Sequence, residues 1–212
     1  RDLHEFSVKV ISWQGSLLYH VLYIFLTINL MIISFHFNFK LQPIQNWLKK
    51  NNWFFYDHQL ETLNQSINGY DILLIAPTGG GKTLAGFLPS LHDLINNNSP
   101  ENKLHTLYIS PLKALTIDVH RNLTNPIEDQ NLDIRVETRT GDTSSYKKNR
   151  QKNVPPHMLM TTPESLALLL ADIKAKEYFK SLRYLIIDEI HSLVNTKRGD
   201  LLSLNLSRLD TI

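Results

Sequence analysis

The stretch Ala76-Pro77-Thr78-Gly79-Gly80-Gly81-Lys82-Thr83 decides how the chain is read. An apolar run, Asp71-Ile72-Leu73-Leu74-Ile75, precedes it and reads as a short buried strand. After it, Leu84, Phe87, Leu88, Leu91, Leu94 and Ile95 recur at helical spacing. A strand, a glycine-rich turn and then Lys-Thr at a helix start is the context a phosphate-binding loop requires. Consecutive glycines let the backbone fold tightly, so that its N–H groups turn toward phosphate oxygens. The helix N-terminus adds partial positive charge at the same place. Thr78, Gly79, Gly80, Gly81, Lys82 and Thr83 are therefore the expected nucleotide-binding set. Within it, Lys82 reaches the β- and γ-phosphates and the Thr83 hydroxyl helps to hold Mg²⁺. The ligand expected here is a nucleoside triphosphate.

Downstream of the loop, strands and helices alternate. Strands are expected at 72–76, 105–110, 134–138, 158–161 and 184–188, and helices at 83–96, 113–123, 144–151, 163–171 and 200–209. Pro43 to Lys50 reads as a short helix with proline in its first turn, and Leu60, Leu63 and Ile67 mark another that Gly69 stops. Continuously apolar strands separated by helices imply an α/β fold, a parallel β-sheet with helices on both faces. Ligands of such sheets sit at the carboxyl ends of the strands. The strand Tyr184-Leu185-Ile186-Ile187 ends in Asp188-Glu189. Asp188 is placed to hold Mg²⁺ and Glu189 to orient or deprotonate an attacking water, so Asp188, Glu189 and Lys82 form the candidate catalytic set.

Composition bounds the rest. The 212 residues are 42% hydrophobic and 20% charged, which fits a globular chain with one sizeable domain plus an appendage. A net charge of +2 is too small to argue for a polyanionic partner by itself. With no cysteine there is no disulfide framework and no thiolate metal site. Residues 1–40 form an apolar segment, uncharged from Val10 to Phe39, in which Leu17–Phe35 is long enough to span a bilayer. Three readings stay open for it: a membrane anchor, a segment buried against another part of the protein, or a non-native extension. Cytoplasmic localisation is expected, with membrane association through 17–35 the less favoured outcome.

The motifs taken together resemble superfamily 2 helicases of the DExH kind. Ala76-x-Thr78-Gly79-x-Gly81-Lys82-Thr83 and Asp188-Glu189-Ile190-His191 resemble motifs I and II. Ser110-Pro111-Leu112-Lys113-Ala114-Leu115 resembles motif Ia, Thr138-Arg139-Thr140-Gly141-Asp142-Thr143 the Thr-Gly-Asp element, and Thr161-Thr162-Pro163-Glu164-Ser165-Leu166 motif Ib. With Thr196-Lys197-Arg198-Gly199-Asp200, the set is similar to the Lhr (large helicase-related) family, and the wording around the loop to its ligase-associated DNA-damage-response members. The resemblance implies a first RecA-like domain over 41–212 of a P-loop NTPase using ATP and Mg²⁺. Its function would be hydrolysis coupled to movement on single-stranded nucleic acid, DNA in preference to RNA. It also implies a nucleic-acid set of Ser110, Lys113, Arg139, Gly141, Thr161, Thr162 and Glu164, with contacts mainly to phosphates.

Gln59 resembles the adenine-reading glutamine, although Asp57-His58-Gln59 departs from the usual Pro-Thr-x-x-Gln. The resemblance further implies partners: a second RecA-like domain of the same protein, carrying arginine fingers, and DNA-repair factors. Neither that domain nor a Ser-Ala-Thr motif lies within the 212 residues, so truncation after motif II is expected. The alternative is a remnant that binds ATP and nucleic acid without turnover. A GTP switch would need Asn-Lys-x-Asp, and Asn102-Lys103-Leu104-His105 lacks the acid. A transporter ATPase would need Leu-Ser-Gly-Gly-Gln, which is absent.

Overall fold

A computed structural model of the chain describes residues 7–9, 41–77, 79–97 and 102–212. The apolar stretch Leu17–Phe35 and Thr78 lie outside the described residues. The chain divides into two compact units, one up to Asn97 and one from Asn98 onward.

The first unit holds β1 (Ser7–Lys9), α1 (Gln42–Lys50), α2 (Asp57–Ile67), β2 (Leu73–Ile75) and α3 (Lys82–Asn96). Helix α1 starts with Pro43 in its first turn and buries Ile44 and Leu48, as the spacing predicts. It ends where Asn52 turns left-handed (φ 56°) and Trp53 N–H donates to Leu48 O at 2.9 Å. Helix α2 packs against α3. The apolar stripe of α3, with Ala85, Phe87, Leu88, Leu91 and Leu94 buried, anchors the helix that follows the glycine loop. Strand β2 departs from expectation: it pairs antiparallel with β1, Leu74 opposite Val8, and does not join the parallel sheet. Only three residues of the 72–76 run form a strand, and they take their ladder from Ser7–Lys9.

The second unit holds β3 (Thr106–Ile109), α4 (Lys113–Asp129), β4 (Val136–Arg139), α5 (Ser145–Asn153), β5 (Met158–Thr161), α6 (Pro163–Leu170), α7 (Ala175–Phe179), β6 (Tyr184–Ile187), a 3₁₀ turn at Ile190–Ser192 and α8 (Lys197–Asp210). Its four strands form a parallel sheet in the order β4-β5-β3-β6. Strands β3 and β5 are buried along their whole length, which is why they read as unbroken apolar runs. Leu107, Ile109 and Leu159 face a core built with Leu166, Leu169 and Leu170 of α6, Tyr178 and Phe179 of α7, and Leu202 of α8. Alternation puts Tyr108, Met158 and Met160 on the opposite face, and α4 packs against β4 and β5. Helix α4 runs six residues beyond the expected end at Leu123, through Pro126, because Leu123, Pro126 and Ile127 all find buried positions.

Candidate nucleotide and nucleic-acid sites

The glycine loop has the backbone its sequence demands. Gly79 and Gly81 adopt φ of 80° and 71°, a left-handed region that strains any side chain. Gly81 is the N-cap of α3, and its carbonyl accepts the first helical bond from Ala85 N–H at 3.1 Å. Lys82 folds back over the loop, donating to Ala76 O at 2.8 Å and Pro77 O at 3.0 Å. The ammonium thus rests on main-chain oxygens of the loop, and an anion can draw it off them at modest cost. At Gly79 an added Cβ would meet nothing within 4 Å, so that side of the loop is open. An open glycine turn, a cation at its rim and the exposed Thr83 hydroxyl at a helix start fit a triphosphate and its cation.

Gln59, 2% exposed, braces this loop from α2. Its Oε1 accepts from Tyr56 N–H at 3.0 Å, closing the helix start, and its Nε2 donates to Gly81 O at 3.1 Å. A Cβ on Gly81 would sit 2.5 Å from that Nε2 and 3.2 Å from the Tyr56 ring. One lone pair and one N–H of the amide remain for an adenine edge. Tyr56 also stacks on His58, with ring centroids 5.5 Å apart. Neither aromatic contact was legible in the sequence.

At the other strand end, Asp188 N–H donates to Ile109 O at 2.9 Å, which extends the β3–β6 ladder by one residue. Its Oδ2 accepts the Tyr108 hydroxyl at 2.6 Å and its Oδ1 accepts Glu189 N–H at 2.9 Å. Glu189 stands at φ 49°, ψ 40°, a left-handed conformation that costs a non-glycine residue on the order of 1–3 kcal/mol. Ser192 holds the turn by donating both its N–H (2.9 Å) and its hydroxyl (2.8 Å) to Glu189 O. His191 Nε2 lies 3.2 Å from Glu189 Oε2. Among the described residues no group of three or more ionisable ligands could cage a metal.

The expected nucleic-acid set splits in two. Lys113, Gly141 and Glu164 are at the surface, whereas Ser110, Thr161 and Thr162 are buried. Thr161 Oγ1 donates to Arg139 O at 2.8 Å, and Thr162 is the N-cap of α6, its hydroxyl 3.4 Å from Ser165 Oγ. Arg139 departs most from expectation. Only 5% exposed, it donates to Lys148 O at 2.8 Å and Gln151 Oε1 at 3.4 Å. Gln151, fully buried, also donates to Glu137 Oε2 and to Thr138 O, so the guanidinium serves to pin α5 to β4. Burial pulls the Arg139 pKa below its ordinary value.

Two carboxylates hold the surface cations. Lys113 Nζ lies 2.9 Å from both oxygens of Asp142. Arg198 grips Glu164 with a two-pronged fork, Nε–Oε1 at 2.5 Å and Nη2–Oε2 at 3.1 Å. That fork holds the Glu164 carboxyl at about 2. Nothing in the sequence spacing of Arg198 points to Glu164. Helix α8 carries Arg198 into place through its N-cap. Thr196 Oγ1 accepts from Gly199 N–H at 3.1 Å and donates to Leu193 O at 2.8 Å.

A parallel sheet with motifs at its strand ends, and a glycine loop opening a helix, make this chain part of a RecA-like helicase domain. The family model for DEAD/DEAH box helicases matches residues 56–212, and the chain belongs to that family. It is 40% identical over 184 residues to the ATP-dependent helicase Lhr-Core of Methanocaldococcus jannaschii, covering 81% of this chain and 22% of that protein. Among solved structures, it resembles Mycobacterium smegmatis helicase Lhr bound to ssDNA and AMP-PNP, with a TM-score of 0.64 and 41% identity over 73% of this chain and 21% of that one. It also resembles the helicase MrfA bound to DNA and AMPPNP, with a TM-score of 0.59 and 31% identity over 65% of this chain and 19% of that one. The chain spans about a fifth of the length of these relatives.

Proposed function

We propose that residues 41–212 are the first RecA-like domain of an ATP-dependent helicase or translocase that moves on single-stranded DNA. The observation that carries this reading is the glycine loop, with Lys82 poised on the carbonyls of Ala76 and Pro77. Here Thr78, Gly79, Gly80 and Gly81 wrap the phosphates and Lys82 contacts the β- and γ-phosphates. On the family resemblance Thr83 and Asp188 would hold Mg²⁺, and Gln59 would read adenine with the polar atoms its brace leaves over. Bound Mg²⁺ would neutralise phosphate charge. Glu189, held in a strained turn beside Asp188, orients the attacking water and takes its proton.

Lys113 and the Gly141 turn meet the nucleic-acid backbone, and Glu164 holds Arg198. Ser110, Thr161 and Thr162 shape that surface from beneath. The nucleic-acid partners named for the Lhr and MrfA structures, ssDNA and DNA, support DNA over RNA. A second RecA-like domain, DNA-repair factors as partners and a cytoplasmic setting complete the reading on the family resemblance. The test is equilibrium binding of ATP·Mg²⁺ to wild type and Glu189→Gln. Binding within about twofold of wild type is expected, because the acid acts on water and not on the ground-state phosphates. A loss of binding comparable to removing Lys82 would refute the role given to Glu189.

A further inference from the structure

We propose that Tyr108 is a positioning residue for the nucleotide-side acid. Its hydroxyl fixes the Asp188 carboxylate from strand β3. The inference rests on the reading of Asp188 as the cation-holding acid, and it adds a residue that neither the motifs nor the family resemblance supplied.

The sheet register creates the contact. Tyr108 lies opposite Ile186 in the parallel β3–β6 pair, so Asp188, two residues further on, projects from the same face. A phenol reaches across that diagonal, and its oxygen meets Asp188 Oδ2 at 2.6 Å. Strand β3 is otherwise apolar at this level, with Leu107 and Ile109 fully buried, and Tyr108 is itself 2% exposed. Phenylalanine would fill the same volume. A hydroxyl placed there costs free energy unless it is bonded, so its value lies in what it bonds to.

That partner is held from two sides. Tyr108 donates to Oδ2 and Glu189 N–H donates to Oδ1, which stops the carboxylate from rotating and leaves each oxygen a lone pair for a cation. Two residues after Tyr108, Ser110 follows the end of β3. Ser110 is buried directly before Pro111-Leu112-Lys113, and its hydroxyl accepts from Leu112 N–H at 3.4 Å. One hydroxyl thus ties the acid at the end of β6 to strand β3.

Outer partners of metal ligands typically change metal affinity by about 10–100-fold when removed. The experiment titrates AMP-PNP into the full chain Arg1–Ile212, once with Mg²⁺ and once with EDTA, for wild type, Tyr108→Phe and Asp188→Asn. Wild type should gain affinity from Mg²⁺ and Asp188→Asn should lose that gain. Tyr108→Phe should keep its affinity in EDTA, keep a cooperative melt, and lose roughly tenfold or more of the Mg²⁺-dependent gain. Should Tyr108→Phe fail to fold, Tyr108→Met fills the slot with a more adaptable side chain and carries the same expectation. If Asp188→Asn abolishes the gain while the Tyr108 variants match wild type, the inference is overturned and the reading of Asp188 stands. If Asp188→Asn leaves the gain intact, or wild type binds no nucleotide, that reading falls and the inference with it.

Discussion

Replacing Gly199 by alanine tests whether the loop after the acidic turn is packed as tightly as its geometry requires. A Cβ on Gly199 would overlap the Leu193 carbonyl oxygen and lie 3.0 Å from the Leu193 carbonyl carbon. Both are backbone atoms, so no flexible side chain can swing aside. Leu193 O already accepts Thr196 N–H at 3.2 Å and Thr196 Oγ1 at 2.8 Å, and Thr196 Oγ1 caps α8 through Gly199 N–H at 3.1 Å. Pushing the carbonyl away disturbs all three bonds. At about 0.5–1.5 kcal/mol for each bond and about 1 kcal/mol for a lost cap, the expected cost is about 2–4 kcal/mol. For a chain of this size that corresponds to a fall in melting temperature of roughly 5–15 °C. Thermal melts of wild type and Gly199→Ala, followed by circular dichroism in one buffer, measure it. The displaced α8 start should also release Arg198 from Glu164. A variant melting within about 2 °C of wild type would refute this packing.

Lys113→Ala should weaken binding of a single-stranded oligonucleotide and lower the salt slope of log affinity by about one, as expected for a phosphate contact. Arg139→Ala should lower the melting temperature and leave that slope unchanged, because its guanidinium is spent on Lys148 O and Gln151; fluorescence anisotropy across a salt series compares the two. The Glu164–Arg198 pair predicts a pH signature. A folded-state pKa held at about 2 against an ordinary 4.5 gives stabilisation that is full above about 4.5 and lost as pH falls toward 2. With a Glu164 side chain 49% exposed, solvent screening reduces the contribution to about 1 kcal/mol. Arg198→Ala should therefore melt lower than wild type at pH 6 and converge with it near pH 2, and a pH-independent difference would contradict the pairing.

The parallel sheet was legible because β3 and β5 are buried on both faces and so carry mostly apolar runs, while Asp-Glu marks the end of β6. The boundaries were less so. Strand β4 begins at Val136 rather than at Ile134, and α7, five residues with Tyr178 and Phe179 buried, has too few turns to show a period. The pairing of β2 with β1 was hidden because Ser7–Lys9 has no sequence feature that singles it out. In the sites, Lys82, Asp188 and Glu189 were legible as candidates because their local spacing points to that chemistry. Arg139 was placed in the phosphate-contacting set, since a charged residue in a motif gives no sign of burial. What turns it inward is Gln151, twelve positions away on α5. Tyr108 and Arg198 escaped for the same reason. Their partners, Asp188 and Glu164, are distant in sequence and are brought to them by the β3–β6 register and by the start of α8.

The measurement that bears most directly on the central claim is calorimetric titration of ATP·Mg²⁺ into the wild-type chain and Lys82→Ala. The lysine is expected to leave the carbonyls of Ala76 and Pro77 for the β- and γ-phosphates, so its truncation should remove ATP binding. Because those two bonds lie at the rim of the loop, the variant should retain its circular dichroism spectrum and a cooperative melt. Equal affinity of wild type and Lys82→Ala for ATP would contradict the account.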